Sequence, residues 1–185
     1  MANAMREPSK INFDALRNAI YHTARRNYYD FLNRFMSLLV VAAGAGAVAD
    51  FERFFASPAL LAFVATMAGL FQLVFDFGGK ARTHEFLQRR FYELTAEIAQ
   101  AEKPTPSKIR DWEAALKRLY AEEPPPMRAM DAIAYNAAAE SLGSDKAKRI
   151  YVTSWQSFNR YWWEFNGADF PYVSDVKAKG ASPSA

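Results

Sequence analysis

Residues 35–75 read FMSLLVVAAGAGAVA (35–49), DFER (50–53) and FFASPALLAFVATMAGLFQLVF (54–75). The second apolar run holds 22 residues without a charge, above the ~18 that mark a membrane-spanning helix candidate. The first run holds 15; at ~1.5 Å per residue it reaches ~22 Å, against a hydrocarbon core of ~30 Å. Phe31 and Leu32 extend it if Asn33 and Arg34 snorkel toward the headgroups, which places Tyr28 and Tyr29 at the interface. The two runs are therefore expected to form a membrane hairpin with spans at 31–49 and 54–75. The alternative is a soluble pair of helices buried on all sides. The length of the second run and its closeness to the first favour the membrane.

Charge sets the expected orientation. Before Phe35 stand six basic residues (Arg6, Lys10, Arg17, Arg25, Arg26, Arg34) and three acids, whereas the connection 50–53 has one Arg and two acids. Lys80, Arg82, Arg89 and Arg90 follow the second run. The positive-inside rule then puts both termini in the cytoplasm of a multi-pass protein.

The chain of 185 residues is 51% apolar, enough for one small domain with an anchor. Its net charge of +3 comes from the residues before the hairpin, while residues 76–185 carry 16 basic against 15 acidic side chains. That balance fits a membrane flank and argues against nucleic acid as a partner. Cysteine is absent, which removes disulfides, thiol nucleophiles and Cys-zinc sites. The first 34 residues carry no apolar signal core, so the hairpin itself is expected to direct insertion.

Outward from the hairpin the chain reads as helices. Residues 1–10 are expected to be disordered. Phe13, Leu16, Ile20, Ala24, Tyr28 and Phe31 form one apolar stripe at helical spacing, running without Gly or Pro into the first span. After Gly78-Gly79, read as a hinge, His84, Leu87, Phe91, Leu94 and Ile98 make a heptad seam in a helix over 80–100. The two stripes are expected to meet. Thr105 can cap a helix over 105–123 with Pro106 at its first position and Ile109, Trp112, Leu116 and Leu119 on its apolar face. The next helix, 126–142, carries Met130, Ile133, Ala137 and Leu142 and stops at Gly143. Thr153 and Gln156 form a capping box before a last helix, 153–165, with Trp155, Phe158, Trp162 and Phe165 as its stripe. Residues 174–185 read as a solvated tail. The expected fold is all-α: a transmembrane two-helix hairpin with long cytoplasmic extensions and a small C-terminal helical bundle.

The order of these features resembles the SLATT family, the SMODS and SLOG-associating two-transmembrane effector domain. The matching residues are Tyr21, His22 and Arg26 before the hairpin, and Arg82, His84 and Leu87 after it. Glu123, Pro124 and Pro125 then precede a helix with Asp131 and Asn136. The resemblance covers residues 11–165. It implies a bacterial conflict-system effector of the inner membrane that oligomerises and breaches the bilayer when a partner senses infection. The sequence reads without a fused sensor domain, so the expected partner is a separately encoded sensor or second-messenger-producing enzyme. The resemblance also implies a structural polar contact for Asp131 and Asn136, which at five apart do not share a helix face closely.

No catalytic motif is present, and neither enzyme activity nor a cofactor is expected: there is no Gly-rich phosphate loop, H-E-x-x-H or G-x-S-x-G. His22 and His84, the only histidines, suit a metal or a pH switch, but spacing alone defines no metal site and two locally bonded seam residues fit better. The hairpin carries small-xxx-small pairs at Ala42/Gly46 and Ala45/Ala49, and at Ala62/Thr66 and Ala65/Gly69. Such pairs let helices approach closely in lipid, either within one hairpin or between copies in a homo-oligomer. Ser37, Thr66, Gln72 and Asp76 are the pore-lining candidates; the alternative is that Ser37 and Thr66 bond to their own helix backbone while Gln72 and Asp76 lie at the cytoplasmic interface. The Trp155, Tyr161, Trp162 and Trp163 group could stack a base or ligand, but helical spacing points to core. The function expected is membrane permeabilisation by an oligomer; the alternative is a membrane-anchored interaction module that does not conduct.

Overall fold

The computed structural model describes residues 7–48, 57–178 and 180; the expectations for 1–6, for Ala49, for the connection 50–53, for 54–56 at the start of the second span and for 179 and 181–185 lie outside them. The described chain is all-α. Its helices are α1 (Pro8–Val48), α2 (Pro58–Phe75), α3 (Phe77–Ala99), α4 (Pro106–Glu122), α5 (Arg128–Ser141), α6 (Ser154–Phe158) and α7 (Val173–Ala178). Among the described residues the only β pairing is a single bridge between Ile150 and Tyr172. The chain forms two compact units, one from Met1–Ala24 with Glu85–Ala185 and one from Arg25–His84.

Local chemistry explains most helix ends. Helix α1 starts at Pro8, inside the stretch 1–10 expected to be disordered, because proline suits the first helical turn. Ser57 caps α2 through the Leu60 N–H and Pro58 follows it, so the helix begins within the apolar run. Thr105 caps α4 in the same way through Lys108. The expected hinge at Gly78-Gly79 is not where the chain breaks. The break is at Asp76, which is left-handed (φ 42°), and α3 runs through both glycines. Asp76 Oδ1 accepts the Gly79 N–H at 2.9 Å, and a Cβ on Gly79 would run into that carboxylate. Glycine is thus required there for close approach.

The first unit has one main core. Leu87, Phe91, Leu94 and Ile98 of α3 pack with Ile109, Trp112, Leu116 and Leu119 of α4 and with Ile11, Ala15 and Ala19 of α1. The seam of α3 and the apolar face of α4 are those their spacing predicts. The α1 stripe is not. Its contact with α3 and α4 is made by the neighbouring face of Ile11, Ala15 and Ala19, while Ile20 and Ala24 lie against a second cluster of Tyr21, Met127, Met130 and Ala134. Phe13 meets Tyr135 of α5 edge-on at 5.0 Å. Within this unit α1 is buried on two sides, and small side chains on one of them permit close helix packing.

The C-terminal segment departs furthest from expectation. The capping box of Thr153 and Gln156 is present, but α6 stops at Phe158 rather than running to 165. Asn159 Nδ2 donates to the Trp155 carbonyl, and the Asn159 carbonyl accepts from the Trp162 and Trp163 N–H groups. Asparagine readily offers such competing bonds, and the left-handed Phe165 and Gly167 turn the chain away. The expected core stripe is exposed: Trp155 69%, Phe158 78% and Trp162 68%. The expected tail is helical as α7 over Val173–Ala178, tied to the preceding segment by the Val173 N–H to the Arg149 carbonyl.

Candidate functional site

In the second unit the C-terminal half of α1 lies antiparallel to α2. A Cβ on Gly46 would meet Leu61 at 3.1 Å, one on Gly69 would meet Val40 at 3.9 Å, and Gln72 reaches Asn33. Gly46 and Gly69 thus face side chains of the opposite helix, while Ala42 and Ala45 are exposed and Ala65 is half-buried.

The polar candidates separate clearly. Gln72 Nε2 donates to Asn33 Oδ1 at 2.8 Å and to Ser37 Oγ at 2.9 Å, bridging the two helices. Thr66 donates to the Ala62 carbonyl of its own helix at 2.8 Å. Asp76 caps the break between α2 and α3. Asn33, Gly69, Gln72, Leu73, Asp76, Gly78 and Arg82 line one open concavity. Asn33 was not among the sequence candidates; its signal was its place one helical turn before Ser37, which gives both side chains the same face. Beside this group, Arg25 is buried, lies 4.7 Å over the Tyr29 ring and donates to its hydroxyl. The buried His84 is stacked on the same Tyr29 ring at 5.5 Å.

Of the remaining motif residues, Tyr21, His22, Leu87, Pro124, Pro125, Asp131 and Asn136 lie in the first unit and Arg26 and Arg82 in the second. His22 is 0% exposed, stacks on Phe91 at 5.5 Å and sets Nε2 3.3 Å from Glu123 Oε1. Tyr21 Oη accepts the Met127 N–H at 3.0 Å, holding the segment after Pro124 and Pro125 against α1. Arg17 clamps Asp131 with two bonds, Nε to Oδ1 at 2.7 Å and Nη2 to Oδ2. Burial works against the Arg17 charge, but Asp131, bonded and opposite in charge, outweighs it and holds the guanidinium above its ordinary value. Asn136 pairs both ends of its amide with the Ile150 backbone, at 2.8 and 2.7 Å. Leu87 is core, Arg26 is half-buried and Arg82 is exposed. These are structural contacts that join α1, α5 and the segment at Ile150, which is why Asp131 and Asn136 need not share a face.

Among the described residues no group of three or more His, Asp or Glu is placed to hold a metal ion. One helical stretch among them, Pro58–Ala99, contains a segment long and apolar enough to cross a membrane. No protein-family model, curated protein or solved structure matches the chain.

Proposed function

We propose that this chain is a SLATT-like effector of a bacterial conflict system. On this reading its two apolar runs span the inner membrane as a hairpin with both termini in the cytoplasm. It assembles as a homo-oligomer and permeabilises the bilayer on a signal from a separately encoded sensor. The protein on this reading is not an enzyme.

One observation carries the membrane reading. Of α2 only Ala68 is buried, while Leu60, Phe63, Leu70, Phe71, Leu73, Val74 and Phe75 are exposed. In water each such side chain forgoes roughly 1 kcal/mol of burial, so the face as a whole forgoes an amount comparable to a domain's entire stability. Lipid removes that cost; a soluble core helix would be covered. The 18 residues of α2 measure ~27 Å, close to the hydrocarbon thickness.

The non-conducting anchor is the second reading, and one observation favours it. Gln72, Ser37 and Thr66 all have partners within the protomer rather than presenting idle polar groups to a lumen. Ion release from vesicles containing the purified chain separates the two. Flux that responds to Asp76→Asn and Asp76→Lys with a shifted reversal potential supports the pore, since a ring of carboxylates favours cations. Tight vesicles at every protein density support the anchor.

A further inference from the structure

The concavity at the break between α2 and α3 holds two opposite charges that do not pair. Its walls all belong to the second unit, and its volume of about 610 Å³ lies in the range of small-ligand sites, roughly 300–1,000 Å³. The Asp76 carboxylate lies against Gly79, whose N–H it accepts through Oδ1. The Arg82 guanidinium folds back over Gly78: a Cβ there would stand 3.5 Å from Arg82 Nη1 and 3.6 Å from Asn33 Oδ1. The two charges thus lie over consecutive residues of one turn. Among the described residues Arg82 nonetheless makes no hydrogen bond or ion pair, and Asp76 meets no cation. None of the unit's other described charges lines the concavity: Asp30 pairs with Arg34 at 2.8 Å, and Arg25 and Lys80 lie over aromatic rings. Two amides complete the set. The Gln72 Nε2 group is committed to Asn33 and Ser37, which leaves Gln72 Oε1 to accept and Asn33 Nδ2 to donate.

We infer that this concavity binds the phosphoethanolamine headgroup of a membrane lipid. Arg82 and the Asn33 amide donate to the phosphate oxygens, a charge-assisted contact on the guanidinium side. Asp76 and Gln72 Oε1 accept from the primary ammonium. The charges decide among headgroups. A purely anionic headgroup would bring its phosphate beside Asp76 with nothing to answer the carboxylate. A choline headgroup carries no N–H for the two acceptors, whereas a primary ammonium carries three. Position decides for a lipid over a soluble phosphoethanolamine ester. Leu73, 79% exposed, forms one wall and continues into the exposed apolar face of α2, along which acyl chains would lie. The inference rests on the spanning hairpin. It holds whether or not the assembly conducts, because Asp76 at the cytoplasmic interface borders the headgroup layer in either case.

The full chain, purified in detergent, is offered equimolar phosphatidylethanolamine and phosphatidylcholine with identical acyl chains, and native mass spectrometry reads the ratio retained. The ammonium–carboxylate contact is open to water, so the expected preference for phosphatidylethanolamine is about threefold. Asp76→Asn keeps an oxygen for the Gly79 N–H and tolerates the left-handed backbone, but loses the charge; the preference should vanish while the total lipid retained stays the same. Arg82→Gln should lower retention of both lipids, which share the phosphate. Equal retention by the parent chain overturns the inference, as does a preference that survives Asp76→Asn. Glycerophosphoethanolamine is offered in a separate arm, and retention equal to that of the lipid overturns a lipid as the occupant. If the chain does not insert, the membrane-spanning reading fails. The site is then judged by co-sedimentation of the same chain with preformed vesicles of either lipid. A phosphatidylethanolamine preference lost in Asp76→Asn supports the site there, and no preference overturns it.

Discussion

Asn136→Ala removes the amide that ties α5 to the segment around Ile150. The two bonds lost run from Asn136 Nδ2 to the Ile150 carbonyl at 2.8 Å and from the Ile150 N–H to Asn136 Oδ1 at 2.7 Å. At ~1 kcal/mol each, with water reaching the half-buried groups left behind, the loss is about 2 kcal/mol. It falls first on local order. Ile150 bridges Tyr172, and the Tyr151 N–H donates to the Pro171 carbonyl at 2.8 Å, so the two strand-like stretches loosen together. Hydrogen exchange on the full chain in nanodiscs reads this directly: amides 149–151 and 173 should exchange about 30-fold faster, with the α3 and α4 amides unchanged. Asn136→Asp adds a second readout. Its carboxylate keeps the acceptor for the Ile150 N–H but faces the Ile150 carbonyl without a donor, so the folded state favours the protonated form and raises its pKa. Protection should accordingly be poor at neutral pH and recover in acid, when the carboxyl can donate. Unchanged exchange at Ile150 in the Ala variant, or loss of protection spread evenly over the unit, would refute the reasoning.

Other expectations follow from the same geometry. Gln72→Leu removes two interhelical bonds in the hairpin and should cost about 1 kcal/mol in lipid or mixed micelles, read by denaturant titration; altered conductance with unchanged stability would instead place Gln72 in a lumen. Arg17→Met leaves the Asp131 carboxylate part-buried without its clamp and should cost about 2 kcal/mol, whereas adding Asp131→Leu should recover much of it; additive losses in that cycle would contradict the pairing. Lys108, bonded to Glu97, holds that carboxyl below the usual glutamate range. The stability this adds is present above the ordinary glutamate pKa and lost as pH falls through the lowered one. Carboxyl titration by NMR should show the Glu97 pKa rise in Lys108→Ala, and an unmoved titration would exclude the bond in solution.

The parts of the fold legible in the sequence were those set by neighbours along the chain. Thr105 with Pro106, Thr153 with Gln156, the α3 seam and the Ile109, Trp112, Leu116, Leu119 face all depend on spacings of a few residues. What spacing could not reveal is what lies opposite a face. Helix α1 presents Ile11, Ala15 and Ala19 to α3 and α4, and Phe13 and Ile20 of the stripe elsewhere, so the conspicuous stripe was not the tight interface. The tryptophan segment has the period of a buried helix, yet Asn159 ends that helix and leaves the rings exposed. The hairpin polar group was half visible: Ser37 and Gln72 stood out as polar residues in apolar runs. Gln72 bonds both Ser37 and Asn33, and Asn33 lies 39 residues from it, so only folding brings them together. Asn136 was legible as a polar contact, but its partner is a backbone, which no side-chain pattern marks.

The central claim is that the two apolar runs cross a membrane as a hairpin with both arms on the cytoplasmic side. The chain has no cysteine, so single cysteines introduced into it report topology without background. In intact cells a membrane-impermeant maleimide should label Glu52→Cys, between the runs. Ser9→Cys and Lys103→Cys should label only after the inner membrane is opened. Protection of Glu52→Cys in cells whose outer envelope admits the reagent, or labelling of Ser9→Cys or Lys103→Cys in intact cells, would contradict the account.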